Sequence, residues 1–177
     1  MQWNATCAIA LCGLSALFAS TSANAEWVKL EPPDAGFSVF LPATPKLETK
    51  EEPSRTHSRI WIARVGTILC LMGTTDFYAP FDKEVELDLD MKNFLKAIDG
   101  TATAQEKVSF RDAPDGPLPA LRFSFSKTSW TGRSLVVLAG DRVYQAVGMS
   151  SAASDAKDLA RCVAFKITAK SPHWQAP

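Results

Sequence analysis

The sequence predicts an α+β domain built on a single, largely antiparallel sheet of about six to seven strands with helices packed on it. Most of the chain consists of short segments with apolar residues at every second position, bounded by Gly, Pro and Asp, which is typical of strands. Two longer segments, 84–98 and 152–164, instead repeat their apolar residues at helical spacing. Because the strands mostly follow one another along the chain, we expect neighbouring strands to run antiparallel.

The first 25 residues predict a secretory signal peptide. Residues 7–18 are almost wholly apolar but too few to span a bilayer, and Ala23-Asn24-Ala25 is a small-x-small cleavage site. No Lys or Arg precedes the apolar segment, so a buried N-terminal helix is the alternative. We expect cleavage after Ala25, a mature chain that starts at Glu26 and is periplasmic or secreted, and no stable membrane insertion after signal removal.

Removal of the signal leaves 152 residues, the size of one ordinary domain. We expect a single α+β domain over 26–170 and a flexible tail over 171–177, where two prolines occur. Lys plus Arg equal Asp plus Glu at 19 each, so the chain is close to neutral. Neutrality argues against a nucleic-acid binder, which needs a basic face to displace counterions. A neutral chain can still carry a local charged patch.

The segments before the first helix predict three strands. Residues 37–41 alternate between two Pro-rich turns and form the first. Residues 46–56 are polar and charged without a period, which predicts an exposed loop. A second strand is expected over 57–64. Residues 67–72 are continuously apolar from Ile68 onward, which predicts a central strand covered on both faces.

After a loop at 76–82, one stripe of apolar residues predicts the helix over 84–98, and Gly100 supplies its stop. The stripe comprises Leu87, Met91, Phe94, Leu95 and Ile98. Four acids precede or interrupt it: Glu84, Glu86, Asp88 and Asp90. At the positive end of the helix dipole, these acids predict a solvated helix start rather than a metal site.

The second half of the mature chain predicts four more strands and a closing helix. The strand segments are 107–111, 121–126, 135–139 and 142–147. Gly140-Asp141 between the last two predicts a two-residue hairpin turn with glycine first. Ser151 is the expected N-cap of the helix over 152–164. Residues 165–168 are expected either to form a short last strand or simply to pack.

Two cysteines, Cys70 and Cys162, remain after signal removal. In an oxidising compartment they are candidates for a disulfide that would close a loop of 92 residues. Two separate buried thiols are the alternative, because cysteine is a common core residue. Their spacing excludes a CxxC redox or zinc motif.

Four short motifs carry a resemblance to a known family. They are Glu26-Trp27, the segment Gly36-Phe37-Ser38-Val39-Phe40-Leu41-Pro42, the segment Gly140-Asp141-Arg142-Val143-Tyr144, and Ala164-Phe165-Lys166-Ile167 after the closing helix. With this order of elements the chain resembles the PsbP-like superfamily of α/β/α sandwiches, which includes photosystem extrinsic subunits and many small exported bacterial proteins. The resemblance implies a fold and supplies no catalytic residue.

One strand offers a candidate interface. His57, Arg59 and Trp61 share a face by the period of two, and Arg with Trp is a common anchor pair in protein interfaces. The alternative is that Trp61 packs under a helix while the charged end of Arg59 extends outward.

The sequence contains no GxSxG, HExxH, P-loop or GxGxxG motif. His173 lies in the expected tail, which leaves His57 as the one ordered imidazole, and the acids and lysines are expected to keep ordinary pKa values in solvent. The sequence therefore predicts an exported non-catalytic domain, without metal or cofactor, that binds or supports an unknown envelope protein. The alternative is a small hydrolase or ligand-processing enzyme whose pocket would gather His57, a carboxylate and a Ser or Thr.

Overall fold

The computed structural model of the chain describes residues 26–52, 56–79 and 81–170. The expected signal peptide, its cleavage site and the expected tail lie outside the described residues. The described part contains two α-helices, α1 (Lys83–Ile98) and α2 (Ala156–Cys162), the second preceded by a 3₁₀ turn at Ala153–Asp155. The strands are β1 (Val28–Leu30), β2 (Phe37–Leu41), β3 (Lys46–Glu52), β4 (Thr56–Val65), β5 (Ile68–Phe77), β6 (Thr101–Phe110), β7 (Leu118–Lys127), β8 (Trp130–Ala139), β9 (Arg142–Ser150) and β10 (Phe165–Ile167).

Seven strands form one antiparallel sheet in the order β3-β4-β5-β9-β8-β7-β6. Two meanders, β3 to β5 and β6 to β9, meet where β5 pairs with β9. Helix α1 carries the chain from β5 across one face to the far edge at β6. The predicted hairpin is confirmed, because Ala139 pairs with Arg142 and Gly140 takes a left-handed φ of +62° that its missing side chain permits.

The three remaining strands form a second antiparallel sheet in the order β1-β2-β10. This small sheet unites the start of the mature chain with its end, since Phe165 of β10 pairs with Val39 of β2. It packs over one face of the seven-stranded sheet. Val39 and Phe165 both lie in the core between the two sheets.

The predicted fold class was wrong. The described chain is mostly β, with 55% of its residues in strands and 18% in helices, and it has two sheets rather than one sheet with helices packed on it. The missed strands explain the error. Strand β3 carries charges at most of its positions and β1 has only three residues, so neither is recognisable as a strand from its sequence. Strand β10 is the short last strand that was one of the two expectations for 165–168.

Two separate cores cover the two faces of the seven-stranded sheet. On one face, four side chains of α1 pack against aromatic and aliphatic residues of β5, β7, β8 and β9. They are Leu87, Met91, Phe94 and Ile98. On the other face, the small sheet and Cys162 of α2 pack against β4, β5, β8 and β9. Strand β5 is therefore covered on both faces, as its apolar run predicts.

Cys70 of β5 and Cys162 of α2 form a disulfide, with Cα atoms 5.4 Å apart. Gly148 makes this approach feasible. It pairs with Cys70 across β5 and β9, and a Cβ added to it would lie 2.8 Å from Cys162 Cβ and 2.9 Å from Leu159 O. A side chain at this position would push α2 off the sheet. The missing side chain of Gly148 therefore allows α2 to pack close to β9 and Cys162 to bond to Cys70.

Several local expectations differ from the structure. The segment 46–56, expected to be a loop, contains β3, which forms one edge of the large sheet. The closing helix is shorter than 152–164, and Ser151 is not its N-cap. Ala152 and Asp155 hold the cap positions of the 3₁₀ turn and of α2, and neither makes a side-chain capping hydrogen bond.

A buried ion pair ties the small sheet to the large one. Arg142 of β9 donates from Nε and Nη2 to the carboxylate of Asp76 on β5, and from Nη1 to the carbonyl oxygen of Ala35 at 2.9 Å. Both charged side chains are more than nine-tenths buried. This fork holds the turn that leads into β2.

Helices in the described residues are all too short or too polar to cross a membrane.

Candidate functional site

The residues predicted as an interface do not form an exposed anchor. Trp61 is only 5% exposed, and its ring meets Phe37 of β2 edge-on with centroids 5.0 Å apart. The alternative expectation placed Trp61 beneath a helix, whereas the ring packs beneath the small sheet. The indole ring therefore belongs to the core between the sheets.

The other two predicted residues have partners inside the protein. Arg59 donates from Nη2 to the carbonyl oxygen of Asp34 at 3.0 Å, and its guanidinium carbon lies 5.7 Å from the Trp61 ring centroid. Nδ1 of His57 lies 3.0 Å from Oε1 of Glu51 on the edge strand β3. No Ser or Thr is hydrogen-bonded to His57 within the described part of the chain, so a Ser–His pair does not form here.

A larger concave surface lies where the small sheet ends. The small sheet and α2 leave part of β7 and β8 uncovered, and two hollows of about 720 Å³ and about 230 Å³ adjoin there. We call this surface the trough. Its floor consists of Arg122, Ser124, Ser126, Thr131, Arg133 and Leu135. Its walls are formed by residues of β1 and β2, by β6 and the segment after it, and by 152–168.

The two hollows are neighbours along β7 and β8. Arg122 lines the larger hollow and Ser124, two residues along β7, lines the smaller one. On β8, Leu135 lines the larger hollow and Arg133, two residues earlier, lines the smaller one. Successive even or odd positions of a strand project to the same face, so the floor is continuous. The larger hollow has the volume of an ordinary ligand site.

The trough is positively charged although the chain is neutral. Arg111, Arg122, Arg133 and Lys166 line it, and only Arg122 has a carboxylate within ion-pair distance, Glu106 at 3.6 Å. Among the described residues no acid pairs with the other three cations. The remaining acids that line it are Glu31, which is engaged by Lys29, and Asp112.

A second, smaller cavity lies under α1. It has a volume of about 50 Å³, which is room for a few water molecules, between the helix and β4, β5 and β9. Ser58 and Thr75 share a hydrogen bond of 3.0 Å at its lining. Asp90 reaches it from the helix, and Gly73 lies on its floor. We call it the α1 cavity.

The acids of α1 do not behave as a solvated helix start. Burial, together with the neighbouring carboxylate of Glu86, raises the pKa of Asp90 to about 7. Glu86 is itself only 7% exposed, and burial followed by repulsion from Asp82 raises its pKa. The expectation of ordinary acids was therefore wrong for these two. Asp88, by contrast, pairs at the surface with Lys107 at 3.2 Å.

The α1 cavity has part of the chemistry that an acid–base catalyst needs. A carboxyl group with a pKa of about 7 can give and take a proton at neutral pH. The hydroxyl of Ser58, however, bonds to the hydroxyl of Thr75, which is not a base, and so it is not activated as a nucleophile. In the described residues, no three His, Cys, Asp or Glu side chains are arranged to hold a metal ion.

The chain matches no protein-family model and no curated protein. The resemblance to the PsbP-like superfamily therefore stays a prediction from sequence.

Sequence reasoning missed both concave sites for identifiable reasons. Asp90 lies three residues after Leu87 and four before Phe94, within the apolar stripe of α1, and that spacing is the signal that it faces the sheet. The cations of the trough come from β7, β8 and the segments that follow β6 and α2. Their convergence depends on which strands the small sheet leaves uncovered, and no local spacing shows that.

Proposed function

We propose that this protein is an exported, non-catalytic domain that binds a partner in the cell envelope, and that the trough is its binding surface. The observation that supports this proposal most directly is the excess of unpaired cations along the trough in an otherwise neutral chain. Charge that is not balanced inside a protein is available to an oppositely charged partner. The apolar segment at 7–18, the cleavage site and the disulfide support export.

The experiment uses three forms of the mature protein: wild type, Arg133→Glu in the trough, and Lys92→Glu as a matched control. Lys92 is exposed on α1, on the other side of the large sheet, so its reversal changes the net charge equally. Each form is immobilised and exposed to an envelope extract. We expect a partner retained by wild type and Lys92→Glu and lost with Arg133→Glu. Retention of the same proteins by all three forms would refute the trough as the binding surface.

A ligand-processing enzyme is the second candidate, and one observation favours it. The Asp90 carboxyl in the α1 cavity titrates near neutral pH, which suits a general acid or base. The test is a screen of the purified protein against ester, peptide, glycoside and phosphate substrates. Turnover that Asp90→Asn abolishes and His57→Ala leaves intact would promote the enzyme over the binding domain.

A further inference from the structure

We propose that the trough binds an extended, acidic polypeptide segment that presents two carboxylates at positions i and i+2 of one face, with an apolar side chain next to them on that face. This rests on the proposed function, and it specifies the chemistry of the partner. Three features of the trough carry it: the spacing of its arginines, the apolar floor beside them, and its hydroxyl-bearing continuation.

The spacing of two arginines matches an extended chain. Arg122 is paired with Leu135 across β7 and β8, and Arg133 is paired with Ser124, so the two arginines are diagonal neighbours on one face. Diagonal neighbours in an antiparallel pair have Cβ atoms about 7–8 Å apart. In an extended polypeptide, residues i and i+2 project to the same side at about 6.7 Å. Carboxylates at alternate positions therefore reach both guanidinium groups.

The balance of charge requires an anionic occupant. Arg122 has one carboxylate within reach, Glu106 at 3.6 Å, and both side chains are more than 60% exposed, so that ion pair is weak. Arg133 is exposed and has no carboxylate partner among the residues that the structure describes. Two like charges as diagonal neighbours repel each other, and two carboxylates from a partner convert that repulsion into attraction.

Apolar side chains lie next to the arginines on the same surface. Leu135 of the floor, Val108 of β6 and Val163 after α2 are partly buried against the core and line the larger hollow. An apolar side chain that follows the two acids on the same face of the occupant would cover them. The floor continues as the hydroxyls of Ser124, Ser126 and Thr131, which can bond to a peptide backbone.

The floor suits a polypeptide better than an acidic polysaccharide. Sugar rings are commonly held by exposed aromatic faces, and the floor has no aromatic residue. The exposed ring in the wall of the larger hollow, Phe40 at 44%, lies 5.5 Å from the guanidinium carbon of Arg161. The other rings close to the floor are occupied within the protein: Phe110 and Phe165 stack on each other with centroids 5.0 Å apart, and Phe125 is 1% exposed.

The test measures fluorescence anisotropy of a labelled peptide of sequence Ser-Asp-Ser-Asp-Ser-Val-Ser, in which two Asp residues and one Val occupy successive positions of one face. The protein is the mature chain with its disulfide intact. We expect saturable binding that weakens as salt rises, at least tenfold weaker binding to Arg133→Glu, and unchanged binding to Lys92→Glu. Circular dichroism confirms that each variant is folded, and Arg133→Lys, which keeps the charge, is expected to restore most of the affinity.

The other probes decide between occupants. A peptide with Asn in place of Asp is expected not to bind, and equal binding of it would overturn the proposal. An oligomer of uronic acid that binds through Arg133 while the acidic peptide does not would overturn the polypeptide as occupant and leave the trough as a binding surface. If the extract experiment yields an Arg133-dependent partner and no acidic peptide binds, the inference fails and the proposed function stands. If neither gives binding, both fail.

Discussion

Replacement of Asp90 by Asn should stabilise the protein at alkaline pH and leave it nearly unchanged at acidic pH. The folded state holds the Asp90 proton up to a pKa of about 7, whereas an ordinary Asp releases it near 3.8. A group with a raised folded pKa contributes its full stabilisation below the unfolded pKa and loses it as pH rises through the folded value. Asn is neutral throughout, so the variant escapes this loss.

The magnitude follows from the displacement of the pKa. Moving it from 3.8 to about 7 is equivalent to about 4 kcal/mol of differential stabilisation between the protonation states. Because solvent reaches the α1 cavity and screens the charge, we expect a measured gain on the order of 2 kcal/mol at pH 8. Glu86 lies one turn earlier on α1 and its carboxylate raises the pKa of Asp90, so the transition is expected to be broad.

The assay is urea unfolding of wild type and Asp90→Asn at intervals from pH 4 to pH 8, with the difference in unfolding free energy plotted against pH. Other carboxyl groups titrate in both proteins and cancel in the difference. Asp88→Asn is the control from the same helix, since it removes only the surface ion pair with Lys107 and should change stability by less than about 1 kcal/mol. A flat difference for Asp90→Asn, or a loss of stability at pH 8, would refute the reasoning.

Three further perturbations test how the two sheets are held. Gly148→Ala should lower the unfolding free energy by several kcal/mol, since the added Cβ meets α2 at under 3 Å, whereas Gly73→Ala, with no neighbour closer than 3.7 Å, should cost less than about 1 kcal/mol; chemical denaturation compares them. Cys162→Ala should cost about 4 kcal/mol under oxidising conditions through the loop closed with Cys70, and thiol titration of unfolded wild type should find neither thiol free. Arg142→Met should cost about 3–5 kcal/mol because it removes both hydrogen bonds to the buried Asp76 carboxylate and leaves it only Arg59 Nη2, 3.9 Å away, and a loss under 1 kcal/mol would contradict this role.

The long, regularly patterned elements of this fold were predictable from sequence. The helix over 84–98 corresponds to α1 at Lys83–Ile98, and the hairpin at Gly140 is where its turn residues place it. These elements carry their own signal, because one face of each is buried and its apolar residues repeat with the period of the element.

The elements that sequence reasoning missed are those whose residues do not sort into a buried and an exposed face. Strand β3 is exposed at nearly all of its positions, so its charged sequence is typical of a loop and predicts one. Strand β10 was one of two alternatives for 165–168, and it owes its place to β2, more than a hundred residues earlier in the chain. The choice between one sheet and two therefore depended on pairings between distant segments, which propensity and period do not encode.

The candidate site was less predictable than the fold. In the sequence, His57 and Trp61 are residue types typical of functional sites, but in the structure His57 pairs with Glu51 and Trp61 lies in the core. The residues that converge in the trough are common arginines and serines from separate strands. Residue type signals a site only when the chemistry is rare, whereas a binding surface made of common residues becomes visible once the strands are assembled.

The charged strand β3 has a consequence for the behaviour of the protein in concentrated solution. It forms one edge of the large sheet, with Lys46, Glu48, Lys50, Glu51 and Glu52 among its seven residues. A second chain that tried to extend the sheet there would have to strip water from these charges and match their order. The edge thus discourages copies from stacking strand on strand into aggregates, and so helps the folded protein stay dispersed.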